Sequence, residues 1–74
     1  MSRVKEEAIR ALEFNQLPIE LLLLQLSSNP HTSKQLVDEH GDQWTFIARR
    51  RCRLFLMAKR PEMKRYEEIV VTSK

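Results

Sequence analysis

Apolar positions at the start of the chain repeat at helical spacing. Over residues 3–15, Val4, Ala8, Ala11 and Leu12 fall within a stripe about 100° wide, with Ile9 at its edge, which predicts an amphipathic helix with one packing face. Ser2 is placed to cap it, and Glu6 and Glu7 come early, where the positive end of the helix dipole favours acids. Pro18 suits the first turn of a second helix, because its missing N–H would be unpaired there anyway. That segment, residues 18–28, carries Ile19, Leu21, Leu22, Leu23, Leu24 and Leu26 and is apolar on nearly every side. A small domain cannot easily cover such a helix all round, so Leu21, Leu22, Leu24 and Leu26 are expected at an oligomer interface or a protein-docking groove.

Ser27, Ser28, Asn29 and Pro30 stop this helix, and Thr32 with Gln35 has the spacing of a capping box that opens a third, over residues 33–40. Leu36 and Val37 are its apolar positions, and Gly41 ends it. Asp42 then caps a fourth helix, residues 43–59. Trp44, Ile47, Ala48, Phe55 and Ala58 share one face of it, flanked by Cys52 and Leu54, while Arg49, Arg50, Arg53 and Arg60 lie opposite around Phe46 and Met57. Trp44, Cys52, Ile47 and Phe55 are thus expected to be structural. Arg51 falls inside the apolar stripe, with its stem over the core or its charge against an acidic partner. Pro61 begins a short fifth helix, residues 61–68, where Met63, Tyr66 and Val70 recur at helical spacing. Residues 69–74, with a β-branched run, are expected to form a flexible tail. The predicted fold class is all-α: one compact four- to five-helix domain, with a helical homodimer as one possible assembly.

Composition supports a small helical domain. With 74 residues there is room for one domain at most. A hydrophobic share of 42%, one Gly and three Pro are too apolar for disorder and too poor in turn residues for a many-stranded sheet. The lone Cys52 closes no intrachain disulfide, which points to a reducing, cytoplasmic setting. Met1 to Arg10 carries Arg3, Lys5, Glu6 and Glu7 and does not read as a signal peptide. The longest apolar stretch, broken by Gln25, is far short of the roughly 20 residues of a membrane span. No enzyme is expected. His31, His40 and Cys52 lack metal-ligand spacing, no oxyanion loop accompanies Cys52 and His40, and one glycine makes no phosphate loop, so no metal and no cofactor is expected.

Charge is divided unevenly. Residues 49–65 hold eight basic residues and one acid, a charge of +7, against −4 for the remainder. The run Arg49-Arg50-Arg51-Cys52-Arg53 has three readings. It is a solvated helical face, or a phosphate- and guanine-contacting surface, or a hot spot for an acidic protein partner together with Phe46 and Met57. In the DNA reading, residues 32–51 overlay a helix-turn-helix with Gly41 in the turn and Arg49 and Arg50 toward the groove. Trp44 reads as a core anchor, and Tyr66, near Lys64 and Arg65, as a packing ring.

Ala11-Leu12-Glu13 with Leu17 downstream, the leucine-rich helix, and Gln43-Trp44 followed by Arg49, Arg50 and Cys52 resemble the small AraC negative regulators and the related PerC-like proteins of enteric bacteria and their mobile elements. That resemblance implies a short helical protein that binds an AraC-type activator and blocks its dimerisation or DNA contact, with Arg49, Arg50 and Trp44 as the positions carried over. The expected function is therefore transcription regulation by contact with a bacterial or phage transcription factor, as antiactivator or antirepressor. The partner-binding residues are Arg49, Arg50, Arg53, Phe46, Met57 and Arg60. Direct DNA binding by the basic fourth helix is the alternative.

Overall fold

The computed structural model describes residues 3–29 and 31–72. Ser2 as a cap, Pro30 as a helix stop and the last two residues of the expected tail lie outside them. Two helices, α1 (Val4–Phe14) and α2 (Ile19–Ser28), precede four strands, β1 (Lys34–Val37), β2 (Gln43–Arg50), β3 (Leu54–Lys59) and β4 (Glu67–Thr72). The strands form one antiparallel sheet in the order β1-β2-β3-β4. The fold is a two-layer α/β sandwich, which overturns the all-α expectation. The helices predicted near 33–40, 43–59 and 61–68 are not formed, and their residues build the sheet.

α1 buries Ala8, Ala11 and Leu12, the stripe that its spacing defines. It ends in a Schellman motif: the Gln16 amide donates to Glu13 O at 3.0 Å and the Leu17 amide to Leu12 O at 3.0 Å, with Gln16 at φ 55°. Asn15 Nδ2 donates to Ala11 O at 2.8 Å and to Val37 O at 3.0 Å, joining this end of the helix to the end of β1. α2 sends Leu22 and Leu26 into the core and leaves Leu21 and Leu24 exposed. The expected four-leucine interface therefore splits, because a sheet behind α2 takes up half of it.

The sheet arises from alternation. On β2, Trp44, Phe46 and Ala48 point toward the helices, and on β3 Leu54, Leu56 and Ala58 do the same. Trp44, Thr45, Phe46 and Ile47 are all aromatic or β-branched, residue types that favour pleated backbone. Residues 38–42, expected to end one helix and cap another, instead turn the β1–β2 hairpin. Asp38 N donates to Asp42 O at 2.9 Å and Gly41 N to Asp38 O at 3.0 Å, with Gly41 at φ +84°. This is a type I turn closed by a left-handed glycine. Residues 69–72 are not a free tail but belong to the edge strand β4. A bulge between Leu56 and Met57 in the β3–β4 pairing leaves Ile69 as the extra residue, so that Ile69 and Val70 both pack toward the core.

A candidate nucleic-acid interface

Both ends of the β2–β3 hairpin are functionally distinct. At the end near the β1–β2 turn, the buried Asp38 carboxylate accepts the Trp44 Nε1–H at 2.9 Å and the His40 and Asp42 amides at 2.9 Å each. Burial by itself raises this carboxyl. The bonds from Trp44, Asp42 and His40, with the neighbouring His40 charge, outweigh it and hold Asp38 below its ordinary value. Arg60 covers the other side of Trp44, its guanidinium 4.9 Å from the ring centroid. Its Nη1 donates to Glu7 Oε1 at 2.7 Å, which ties the end of β3 to α1. Its Nε lies 2.8 Å from Glu62 Oε2, close enough for an ion pair but off the direction of the N–H bond. The Asp38 carboxylate, the Trp44 indole and the Arg60 guanidinium are held by one another and by neighbours in the same fold, so this end is a structural clamp.

The opposite end is the reverse. β2 and β3 are joined by Arg51, Cys52 and Arg53, with the Arg51 amide bonded to Arg53 O at 3.1 Å. Arg49, Arg50, Arg51 and Arg53 are all exposed. Among the described residues the side-chain ion pairs gather on Arg60, and none involves these four. Cross-strand partners share a face. Arg50 pairs with Leu54 on the helix side, whereas Arg49 pairs with Phe55 on the side that no helix covers.

That uncovered face is a grid of cross-strand rows. Arg49, Phe55 and Val71 form one row, Ile47, Met57 and Glu68 the next, and Gln35, Thr45 and Lys59 the third. Ile47, Phe55 and Met57 are half-buried on it. Lys59 Nζ stands 5.4 Å from the centroid of the Tyr66 ring, which adds a second aromatic at the margin. Beside the arginine turn, Arg49, Arg50, Arg51, Phe55, Met57 and Glu68 line an open cleft of about 290 Å³. A cleft of this size is at the bottom of the range for small-molecule pockets, roughly 300–1,000 Å³, and it does not enclose a substrate.

These positions redistribute the expected site. Arg49, Arg50 and Arg53 are exposed and adjacent, but on a hairpin rather than a helix, so the helix-turn-helix overlay has no counterpart. Arg51, placed by helical geometry in an apolar stripe, is exposed in the turn. Met57 is on the open sheet face. Phe46, expected to face outward, is fully buried against the helices, because strand alternation sends it to the same side as Trp44. Arg60 belongs to the Trp44 clamp. Cys52, expected as a core thiol, is exposed at the turn. Ile47 and Phe55, expected in the packing face, lie on the open side. No signal in the sequence marks Glu68; the bulged β3–β4 register brings it beside Met57.

No group of three or more metal-ligating side chains occurs among the described residues, and no helix among them is long and apolar enough to cross a membrane. Comparison with protein families, with curated proteins and with solved structures gives no match to this chain.

Proposed function

We propose that this protein is a nucleic-acid-binding module whose contact surface is the β2–β3 arginine hairpin and the open sheet face beside it. The observation that carries this reading is the set of four exposed arginines within five residues, in no ion pair among the described residues and bordering a sheet face that neither helix covers. Uncommitted guanidinium groups in such a cluster suit phosphate, and a two-stranded ribbon or an open sheet can present them along a nucleic-acid backbone. The test is binding of fluorescently labelled random-sequence DNA and RNA across a salt series. If all four arginines meet phosphates, log K falls against log salt with a slope of about −3.6 on duplex DNA and about −2.8 on single strands. Replacing Arg49, Arg50, Arg51 and Arg53 by Gln should remove most of that slope. Absence of binding at micromolar protein in low salt, or a slope that the four replacements leave unchanged, refutes the reading.

A second reading, regulation of a transcription factor by protein contact, draws on the helical layer. Phe14, Leu21 and Leu24 are 57%, 43% and 63% exposed there. Large apolar side chains left in solvent suit a protein surface rather than phosphate. Replacing Leu21 and Leu24 by Lys should abolish regulation in this reading and leave nucleic-acid affinity unreduced in the first.

A further inference from the structure

The open face holds one feature that phosphate binding does not explain. Glu68 sits on the edge strand, bordering an otherwise cationic and apolar surface, opposite Met57 and lining the same cleft as Phe55, Arg49 and Arg51. Its side chain is exposed and takes part in no ion pair among the described residues. A carboxylate repels phosphate, so a strand guided by the arginines must offer it something other than backbone. A base edge fits that requirement, and the half-exposed Phe55 ring beside it supplies a face on which a base can stack.

We infer that the cleft is a base site for single-stranded nucleic acid, with Phe55 as the stacking surface and Glu68 as the acceptor for the Watson–Crick edge of guanine. The inference rests on the nucleic-acid reading and specifies its ligand. Guanine alone presents two adjacent donors on that edge, N1–H and the N2 amino group, which match the two oxygens of one carboxylate. Adenine and cytosine set an acceptor nitrogen beside their amino group, and uracil and thymine set their single N–H between two carbonyls. Each of those places a lone pair against the carboxylate. In a duplex the guanine edge is already paired, so Glu68 reads only an unpaired base. Arg49, in the same cross-strand row as Phe55, and Arg51 in the turn are placed to hold the phosphates on either side.

The experiment is fluorescence anisotropy of the full chain with three probes: a uridine-only RNA strand, the same strand with one central guanosine, and a duplex. The guanosine strand should bind about tenfold more tightly than the uridine strand, the discrimination of one good bidentate contact. Glu68→Ala should erase that preference without weakening the uridine strand. Phe55→Leu should weaken both single strands about tenfold, and Phe55→Trp should restore them. Matching urea-unfolding midpoints for Phe55→Leu and Phe55→Trp would separate lost stacking from lost fold. Binding that follows the salt law yet shows no guanosine preference, or a preference that survives Glu68→Ala, overturns this inference and leaves the arginine hairpin standing. No binding to any of the three probes overturns both.

Discussion

Removing the Asp38 carboxylate by Asp38→Ala tests the clamp that fixes one end of the β2–β3 hairpin. Three donors converge on it: the buried Trp44 indole N–H and the His40 and Asp42 amides, all at 2.9 Å. The two amides belong to an exposed turn, where water can replace the lost acceptor at little cost. The indole cannot be rehydrated without moving Trp44, which is fully buried between Phe46 and Arg60. A buried donor left without an acceptor costs about 1–3 kcal/mol, and hydrogen bonds to a charged group contribute about 1.5–3 kcal/mol. The expected loss is therefore about 2–4 kcal/mol. A 74-residue domain has on the order of 4–11 kcal/mol of total stability, so this one carboxylate accounts for a large fraction. Urea unfolding reads it as a drop in midpoint of roughly 2–4 M if the slope is about 1 kcal/mol per M and unchanged by the substitution. The pH dependence gives an independent check. Asp38 is held below its ordinary value in the folded state, so the charge-dependent part of its contribution is complete above the unfolded value, near pH 4, and is lost as pH falls through the folded value. The stability gap between wild type and Asp38→Ala should be largest at neutral pH and narrow in acid, the neutral carboxyl retaining the part that does not depend on its charge. A loss below about 1 kcal/mol, or a gap that persists undiminished in strong acid, would refute the role assigned to this carboxylate.

Two backbone positions should respond to opposite exchanges for one reason. Gln16 and Gly41 both occupy the left-handed region, at φ 55° and +84°, so Gln16→Gly should stabilise the protein by up to about 1 kcal/mol and Gly41→Ala should destabilise it by about 1–2 kcal/mol, read as urea midpoints. No atom lies within 4 Å of a Cβ built on Gly41, so that loss is backbone strain alone. Phe46→Ala should cost about 3–5 kcal/mol in the same assay, whereas the exposed Cys52 should react with a maleimide in the folded protein without unfolding; a protected Cys52 would contradict the hairpin.

The helical part of the fold was legible because helical spacing and punctuation agree there. The stripe of Ala8, Ala11 and Leu12 has no competing alternation, and Pro18 marks where α2 begins. The sheet was not, because residues 43–59 satisfy both periods. Trp44, Ile47, Ala48, Phe55 and Ala58 form a helical stripe, yet Trp44, Phe46, Ala48 and Leu54, Leu56, Ala58 alternate on two strands. Residue type separates the two readings: aromatic and β-branched residues fill 44–47, and residues 69–72 repeat the signal. The turn at Asp38 to Gly41 resembles a helix stop, since a glycine at positive φ ends either structure. Of the site, the arginine cluster was visible as charge density. The Phe55–Glu68 neighbourhood was not, because it depends on a bulged pairing between strands whose two residues lie thirteen apart in sequence.

Moving the arginines from a helix to a hairpin changes what they can touch. On a helix, residues 49, 50 and 53 point along one side, and a partner meets them as a single stripe. On a strand, neighbours alternate, so Arg49 stands on the open face beside Phe55, while Arg50 leaves the strand on the helix side opposite Leu54 and still lines the cleft at the end of the open face. Arg51 and Arg53 then extend the charge around the tip. A cationic ribbon whose arginines leave the backbone on both sides of the strand and around its tip does not present the single stripe that a helix would offer an acidic protein surface. It can instead engage phosphates on both sides of a groove or along a bent single strand. Replacing Arg50 alone and Arg49 alone by Gln separates these geometries. Phosphate contact on both faces predicts that each lowers the salt slope by about the same amount, slightly under one unit. A contact confined to one face predicts that only one of them does.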